Sequence, residues 1–196
     1  ESAEKYGLHL PLGLKGYFNL EEGLKAAKTA GKPVFVDVTG HGCVNCREME
    51  AAVWVDEKVA SIMNDDYVLI QLYVDERTPL AEPVTIVENG AERKLRTVGD
   101  KWSYLQEYKF GANTQPFYVL LDNEGNLLSG SYSYEKDVNK YIEFLEKGKK
   151  KQYCRIDSQG NGHKFAFSFA AGGNENDVFA GCVFLHVCEL DRTVDS

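Results

Sequence analysis

Apolar and polar positions along this chain switch between a helical and a strand period in a repeating order. Residues 1–16, "ESAEKYGLHLPLGLKG", carry Gly, Pro and scattered leucines without a period, as a lead-in segment or linker would. Asn19 then precedes Glu22 by the spacing of a capping box, and "LEEGLKAAKTA" is predicted as a helix that Gly31 stops. "PVFVDVT" (33–39) is β-branched and almost wholly apolar, as in a strand covered on both faces. A second helix is predicted to begin near Cys43, with Val44, Met49, Ala52 and Val53 as its apolar contacts. It restarts at Asp56, with Val59, Ile62 and Met63 at helical spacing. "YVLIQLYVD" (67–75) is the next strand.

From 76 to 100 the pattern loosens into an insertion. "VTIVENGAERKL" alternates on both sides of Asn89-Gly90, which predicts a hairpin. "DKWSYLQEYKF" (100–110) reads as a helix with Trp102, Leu105 and Tyr108 inward. "PFYVLLD" is a strand, "NEGN" a turn and "LLSGSYSY" the antiparallel return. "EKDVNKYIEFLEKGKK" closes the series as a helix with Val138, Tyr141, Ile142 and Leu145 facing the core. The order predicts an α/β fold with a central mixed sheet flanked by helices. Its limits are residues 17–150, with 151–196 a Gly/Asn-rich tail that shows no amphipathic helix.

Composition narrows the picture. Hydrophobic residues make up 43% of the 196, enough for a core that needs no metal or staple in its place. The formal charge of -8 removes a nucleic-acid partner, since such binders need a basic face. The "KGKKK" run at 147–151 is expected to close a helix, where cations suit the negative end of the dipole. No apolar run approaches the roughly 18 residues of a membrane span. With no leader pattern the chain is expected to be either cytosolic or a mature or excised piece of a longer protein, and a start at Glu1 rather than Met favours the excised piece.

"GHGCVNCREME" (40–50) holds the candidate chemistry: Cys43 and Cys46, three positions apart at a helix start. A structural zinc site needs four ligands, usually as two close pairs. Cys154, Cys182 and Cys188 form no second pair, and with His163 and His186 they match no familiar spacing, so no metal is expected. A disulfide closing so short a loop removes little chain entropy, which weakens a purely structural role. A helix start does favour electron exchange. Its free N–H groups and dipole are worth at most about 2 kcal/mol, or roughly 1.5 pKa units. That is enough to bring the Cys43 thiol from about 8.5 toward 7. Cys43 is then the attacking sulfur and Cys46, one turn further in, the resolving one. The cysteine pair itself is the redox centre, and no further cofactor is expected. The total of five cysteines leaves at least one thiol unpaired within a monomer.

"PVFVDVTGHGCVNC", followed by "YVLIQLYVD" and "NTQPFYVLLDNEGN", resembles the thioredoxin superfamily over residues 14–148. The nearest likeness is to the C-terminal thioredoxin-like domain of the DsbD family of bacterial thiol:disulfide interchange proteins, through "CVNCREME". The resemblance implies a thioredoxin-like fold with the insertion at about 76–100. It also implies that Cys43 and Cys46 are the attacking and resolving thiols, and that Pro116 is the cis-proline facing them. Gln115 would then present its backbone to an incoming chain as an added strand does. Asp37 matches the buried acid of thioredoxins. Enclosed by Val36 and Val38, it should have a raised pKa and can relay a proton to or from Cys46. The sequence departs from thioredoxins at Gly42, at Val44-Asn45 inside the motif, and at Gln71, where a lysine often accompanies the acid. His41 can stabilise the thiolate or accept a proton, or be merely solvated.

Strong oxidants usually place a histidine inside the pair; Val44-Asn45 cannot carry charge, which points to a reducing donor. The expectation is a periplasmic protein-disulfide reductase serving disulfide-containing clients, including those of cytochrome c maturation. A membrane-embedded dithiol would recharge it. The alternatives are a stand-alone oxidase or isomerase, and a binding module that uses its cysteines only as a latch.

Overall fold

The computed structural model describes residues 10–88 and 90–158. The chain divides into two compact units, Glu1–Gly148 and Lys149–Ser196. The tail cysteines and histidines, Cys154 apart, lie outside the described residues, and so do residues 1–9 of the lead-in. Cys154 lies on the last helix, its side chain outside the description.

The first unit is built on a four-stranded sheet. β1 (Gly16–Tyr17) and β2 (Val34–Thr39) run parallel to β3 (Val68–Tyr73), while β6 (Phe117–Leu121) is antiparallel to β2. The sheet is therefore mixed, as expected. α1 (Leu20–Ala30) joins β1 to β2; the Asn19 side chain accepts from the Glu22 N–H at its start, and Gly31 ends it at φ 66. That positive φ costs glycine little.

Every residue of β2 is buried, and its alternation shows why. Val34, Val36 and Val38 pack on one face with Ile70, Leu72, Val119, Leu121 and Trp102. Phe35 points to the other, against Met49, Trp54, Leu69, Tyr118 and Tyr141. Strand period places Asp37 and Thr39 on the Phe35 face. Their partners in register on β3 are Gln71 and Tyr73. One face of the sheet is thus apolar in its middle and polar where β2 and β3 end. That polar end is where the Cys43 helix begins.

α2 (Val44–Met49) runs on through a wider π-helical turn (Glu50–Trp54). Its buried stripe is Cys46, Met49, Glu50, Val53 and Trp54, a helical period starting at the second cysteine. Val44 is 69% exposed and Ala52 is exposed, so neither is the core contact expected of it. α3 (Glu57–Asp66) starts where Asp56 accepts the N–H groups of Lys58 and Val59, and buries Val59, Ile62 and Met63 as predicted.

β4 (Pro79–Glu88) and β5 (Ala91–Thr97) form the expected hairpin, a separate two-stranded sheet. α4 (Val98–Phe110) begins two residues before the predicted start. Asp100 is the third residue of a capping box whose cap is Thr97. Trp102 is buried and Leu105 partly so; Tyr108 is exposed, contrary to expectation, and Gln106 takes the buried position. The return after β6 is not a continuous strand. It touches β6 through Leu121–Leu127 and Tyr118–Tyr132 bridges, Gly130 and its flanking serines offering little to pack between them. α5 (Val138–Ser158) runs past the predicted end, so the 147–151 basic run lies inside the helix rather than closing it. Among the described residues, no helix is long and apolar enough to cross a membrane.

Candidate active site

Cys43 caps α2, and its Sγ accepts the Cys46 N–H at 3.2 Å. The two sulfurs are joined in a disulfide, with the Cα atoms 5.3 Å apart. Their exposure differs: Cys46 is 1% exposed, while Cys43 is only half-buried beside the exposed Val44 and Asn45. Cys46 therefore lies beneath its partner.

The loop leading to Cys43 is fixed from β3's end. Asp75 accepts the His41 N–H at 2.8 Å on one oxygen and the Gly42 N–H at 3.1 Å on the other. A Cβ at Gly40 would meet that carboxylate at 3.2 Å, so the glycine permits the close approach. The His41 ring stacks on Tyr73 with centroids 4.3 Å apart, and its Nε2 lies 2.9 Å from Glu76 Oε2. Its ring is thus engaged by Tyr73 and Glu76. Burial works against the Glu76 charge, yet hydrogen bonds from Thr78 and His41 hold its carboxyl below the usual range. Glu76 also ties this loop to the insertion, since its carbonyl accepts the Gly99 N–H at 2.9 Å.

Arg47 and Glu50, on the same helical run as Cys46, join a polar cluster on the Phe35 face. Asp37 is 1% exposed; its Oδ2 accepts the Gln71 amide at 2.9 Å and its Oδ1 has no partner among the described residues. Burial raises its pKa from 3.8 to about 7, against the lowering by the Gln71 hydrogen bond, while the nearby Glu50 adds to the rise. The Gln71 carbonyl accepts from the Tyr73 hydroxyl at 3.2 Å, so the amide has donor and acceptor both in use. Glu50 is raised by burial too, and Arg47 opposes this through a 3.0 Å ion pair. Arg47 also donates to Thr39 Oγ1 at 3.2 Å.

Gln115 and Pro116 stand at the start of β6. Because β6 is antiparallel to β2, Phe117 lies opposite Val38, at the sheet end from which the Gly40–Cys43 loop departs. The Gln115–Pro116 peptide is cis. Pro116 is buried and Gln115 half-buried. The structure thus gathers Asp37, Cys43, Cys46, Gln115 and Pro116 at one end of the sheet.

Sequence reading missed Glu50, Asp75, Glu76 and Gln106. Glu50 had a signal: it follows Cys46 by four positions, hence shares its helical face. Asp75 and Glu76 meet His41 from 34 and 35 residues away, and no local pattern announces that.

A family model described as thioredoxin-like matches residues 16–122. The thiol:disulfide interchange protein DsbD of Ralstonia nicotianae is 31% identical over 99 residues, 44% of this chain. The match spans only 16% of that protein's length. Among solved structures, a DsbH oxidoreductase superposes with a TM-score of 0.51 at 14% identity, over 73% of this chain and 91% of that one. The C-terminal domain of Neisseria meningitidis DsbD, reduced form, gives 0.48 at 17% identity, over 67% and 98% of the two chains. At 14% identity the likeness to the DsbH oxidoreductase is one of fold.

Proposed function

This chain belongs to the thioredoxin-like family, and from that premise we propose that its Cys43–Cys46 pair works as a protein-disulfide reductase. The observation that carries this is the unequal burial of the two sulfurs, at the same end of the sheet as a buried carboxyl with a raised pKa. In the reduced protein the Cys43 thiolate attacks a client disulfide. One client sulfur leaves as thiolate and a mixed disulfide forms. Cys46 then attacks the Cys43 sulfur, closes the pair and releases the second client thiolate. The client gains two electrons and the pair loses two. Asp37 is the acceptor for the Cys46 proton, poised by a pKa of about 7 to take it at neutral pH. An extended client chain docks on the Gln115 backbone beside Pro116.

Val44-Asn45 offers no charge to stabilise the reduced form, which supports a donor rather than an oxidant. The similarity to DsbD supports a periplasmic setting, clients that include those of cytochrome c maturation, and recharging by a membrane-embedded dithiol. Reduction of insulin by the wild type, lost in Cys43→Ser, tests the exchange; Cys46→Ser should accumulate the mixed disulfide. Equilibration with glutathione tests direction, with a potential below about −200 mV expected. A value near the roughly −120 mV of strong oxidants, or insulin turnover surviving Cys43→Ser, refutes the reading.

A further inference from the structure

Gln106 is 1% exposed on α4, yet neither end of its amide is idle. Its Nε2–H donates to the Thr114 carbonyl at 2.9 Å, and its Oε1 accepts from Gln115 Nε2–H at 2.9 Å. The two contacts have opposite polarity, so only one orientation of the amide satisfies both, and a glutamate in its place would not. They fall on the two residues immediately before Pro116. With the Thr114 carbonyl occupied and the Gln115 side chain drawn toward α4, the Gln115 backbone N–H and C=O are left without partners among the described residues. These are the groups an extended chain would pair with.

We infer that Gln106 is a positioning residue that holds Thr114 and Gln115 in the orientation presenting the Gln115 backbone to an extended peptide. It thereby sets the preference of the site for polypeptide disulfides over small ones. The inference rests on the disulfide-reductase reading and extends it to substrate class. A residue that merely satisfies a buried loop would affect both kinds of disulfide alike. Gln106 acts on one. The small disulfide has no backbone to pair, so its exchange depends on the sulfurs alone.

The test compares wild type with Gln106→Leu and Gln106→Met, two variants of similar volume in case one folds poorly. Each is reduced beforehand and offered insulin or hydroxyethyl disulfide. In single-turnover oxidation of the pair, losing the alignment should raise the insulin concentration for half-maximal rate about tenfold with the maximal rate retained, equivalent to about 1.4 kcal/mol. The rate constant toward hydroxyethyl disulfide should stay within about twofold. Gln115→Ala, which breaks one contact of the two, should show a rise of about threefold. Adding it to Gln106→Leu should do nothing more. The 15N order parameter of Gln115 should fall from about 0.85 to below about 0.6 in Gln106→Leu. Equal losses on both disulfides, or wild-type ratios together with an unchanged order parameter, overturn the inference alone. A wild type that reduces neither disulfide removes the reductase reading and this inference with it.

Discussion

Replacing Asp37 with Asn should make the protein more stable, and only in a defined range of pH. The unfolded chain releases the Asp37 proton near 3.8, whereas burial keeps it on the folded chain until about pH 7. Between those values the native state binds more protons than the unfolded one, so this group's contribution falls as pH rises, and levels off above about 7. The displacement, at about 1.36 kcal/mol per unit, corresponds to about 4 kcal/mol, of which roughly 3 accrue between pH 5 and pH 8. Asn keeps the shape and still accepts from Gln71, without a proton to lose. The assay is urea unfolding of both proteins at the two pH values, with the Cys43–Cys46 bond intact. At a slope of about 2 kcal/mol per molar urea, the gap between the two midpoints should be about 1–2 M wider at pH 8. Two curves that stay parallel across this range would refute the account, since Asp37 would then carry no displaced proton.

The same Asp37→Asn variant should slow resolution of the mixed disulfide at neutral pH, by about tenfold, while the first attack by Cys43 proceeds; quenched-flow trapping separates the steps. Gln71→Leu removes the hydrogen bond that opposes burial, so the Asp37 midpoint should move above its value of about 7. Carbon NMR of the carboxyl reads this directly, and a downward move would contradict it. Asp75→Ala strips the acceptor from two amides of the Gly40–Cys43 loop. Hydrogen exchange at His41 and Gly42 should accelerate by about 10- to 100-fold, the loss expected for bonds to a charged acceptor.

What could be read from sequence was what neighbours along the chain decide. Asn19 and Gly31 bound α1 by side-chain and φ chemistry that needs no distant partner. The continuous apolar run of β2 betrayed a strand covered on both sides. Cys43 and Cys46 announced themselves by spacing, while Asp37 and Gln115–Pro116 came through the family likeness, the apolar run around Asp37 adding only its raised pKa. Failures came where a polar residue occupies a core seat. On α4 the inward positions are Gly99, Trp102 and Gln106, so the apolar pattern pointed instead to Tyr108, which is 79% exposed. On α2 the stripe starts at Cys46 and includes Glu50, which made Val44 look like the natural beginning. The loop anchors Asp75 and Glu76 were illegible because their partners come from another stretch of chain.

The polar seat taken by Glu50 belongs to a larger departure from an apolar core. A sheet face that was apolar to its end would bury Phe35 and Leu69 and continue with residues like them. Here it continues with Asp37, Thr39, Gln71 and Tyr73, closed over by Glu50 and Arg47. Such a cluster works against stability, because each group must find a partner or stay unpaired in a low-dielectric interior. Asp37 and Glu50 each keep one buried oxygen without a partner among the described residues. The apolar middle of the same face offsets this through Trp54, Tyr118 and Tyr141, where the Trp54 indole N–H donates to the Tyr141 hydroxyl at 2.9 Å. In the proposed mechanism Asp37 is a useful proton acceptor only if its pKa lies near working pH, and burial is what moves it there. Asp37→Asn, the change predicted to stabilise the fold, also takes away the acceptor in that mechanism, so stability and electron transfer oppose each other there at a single carboxyl.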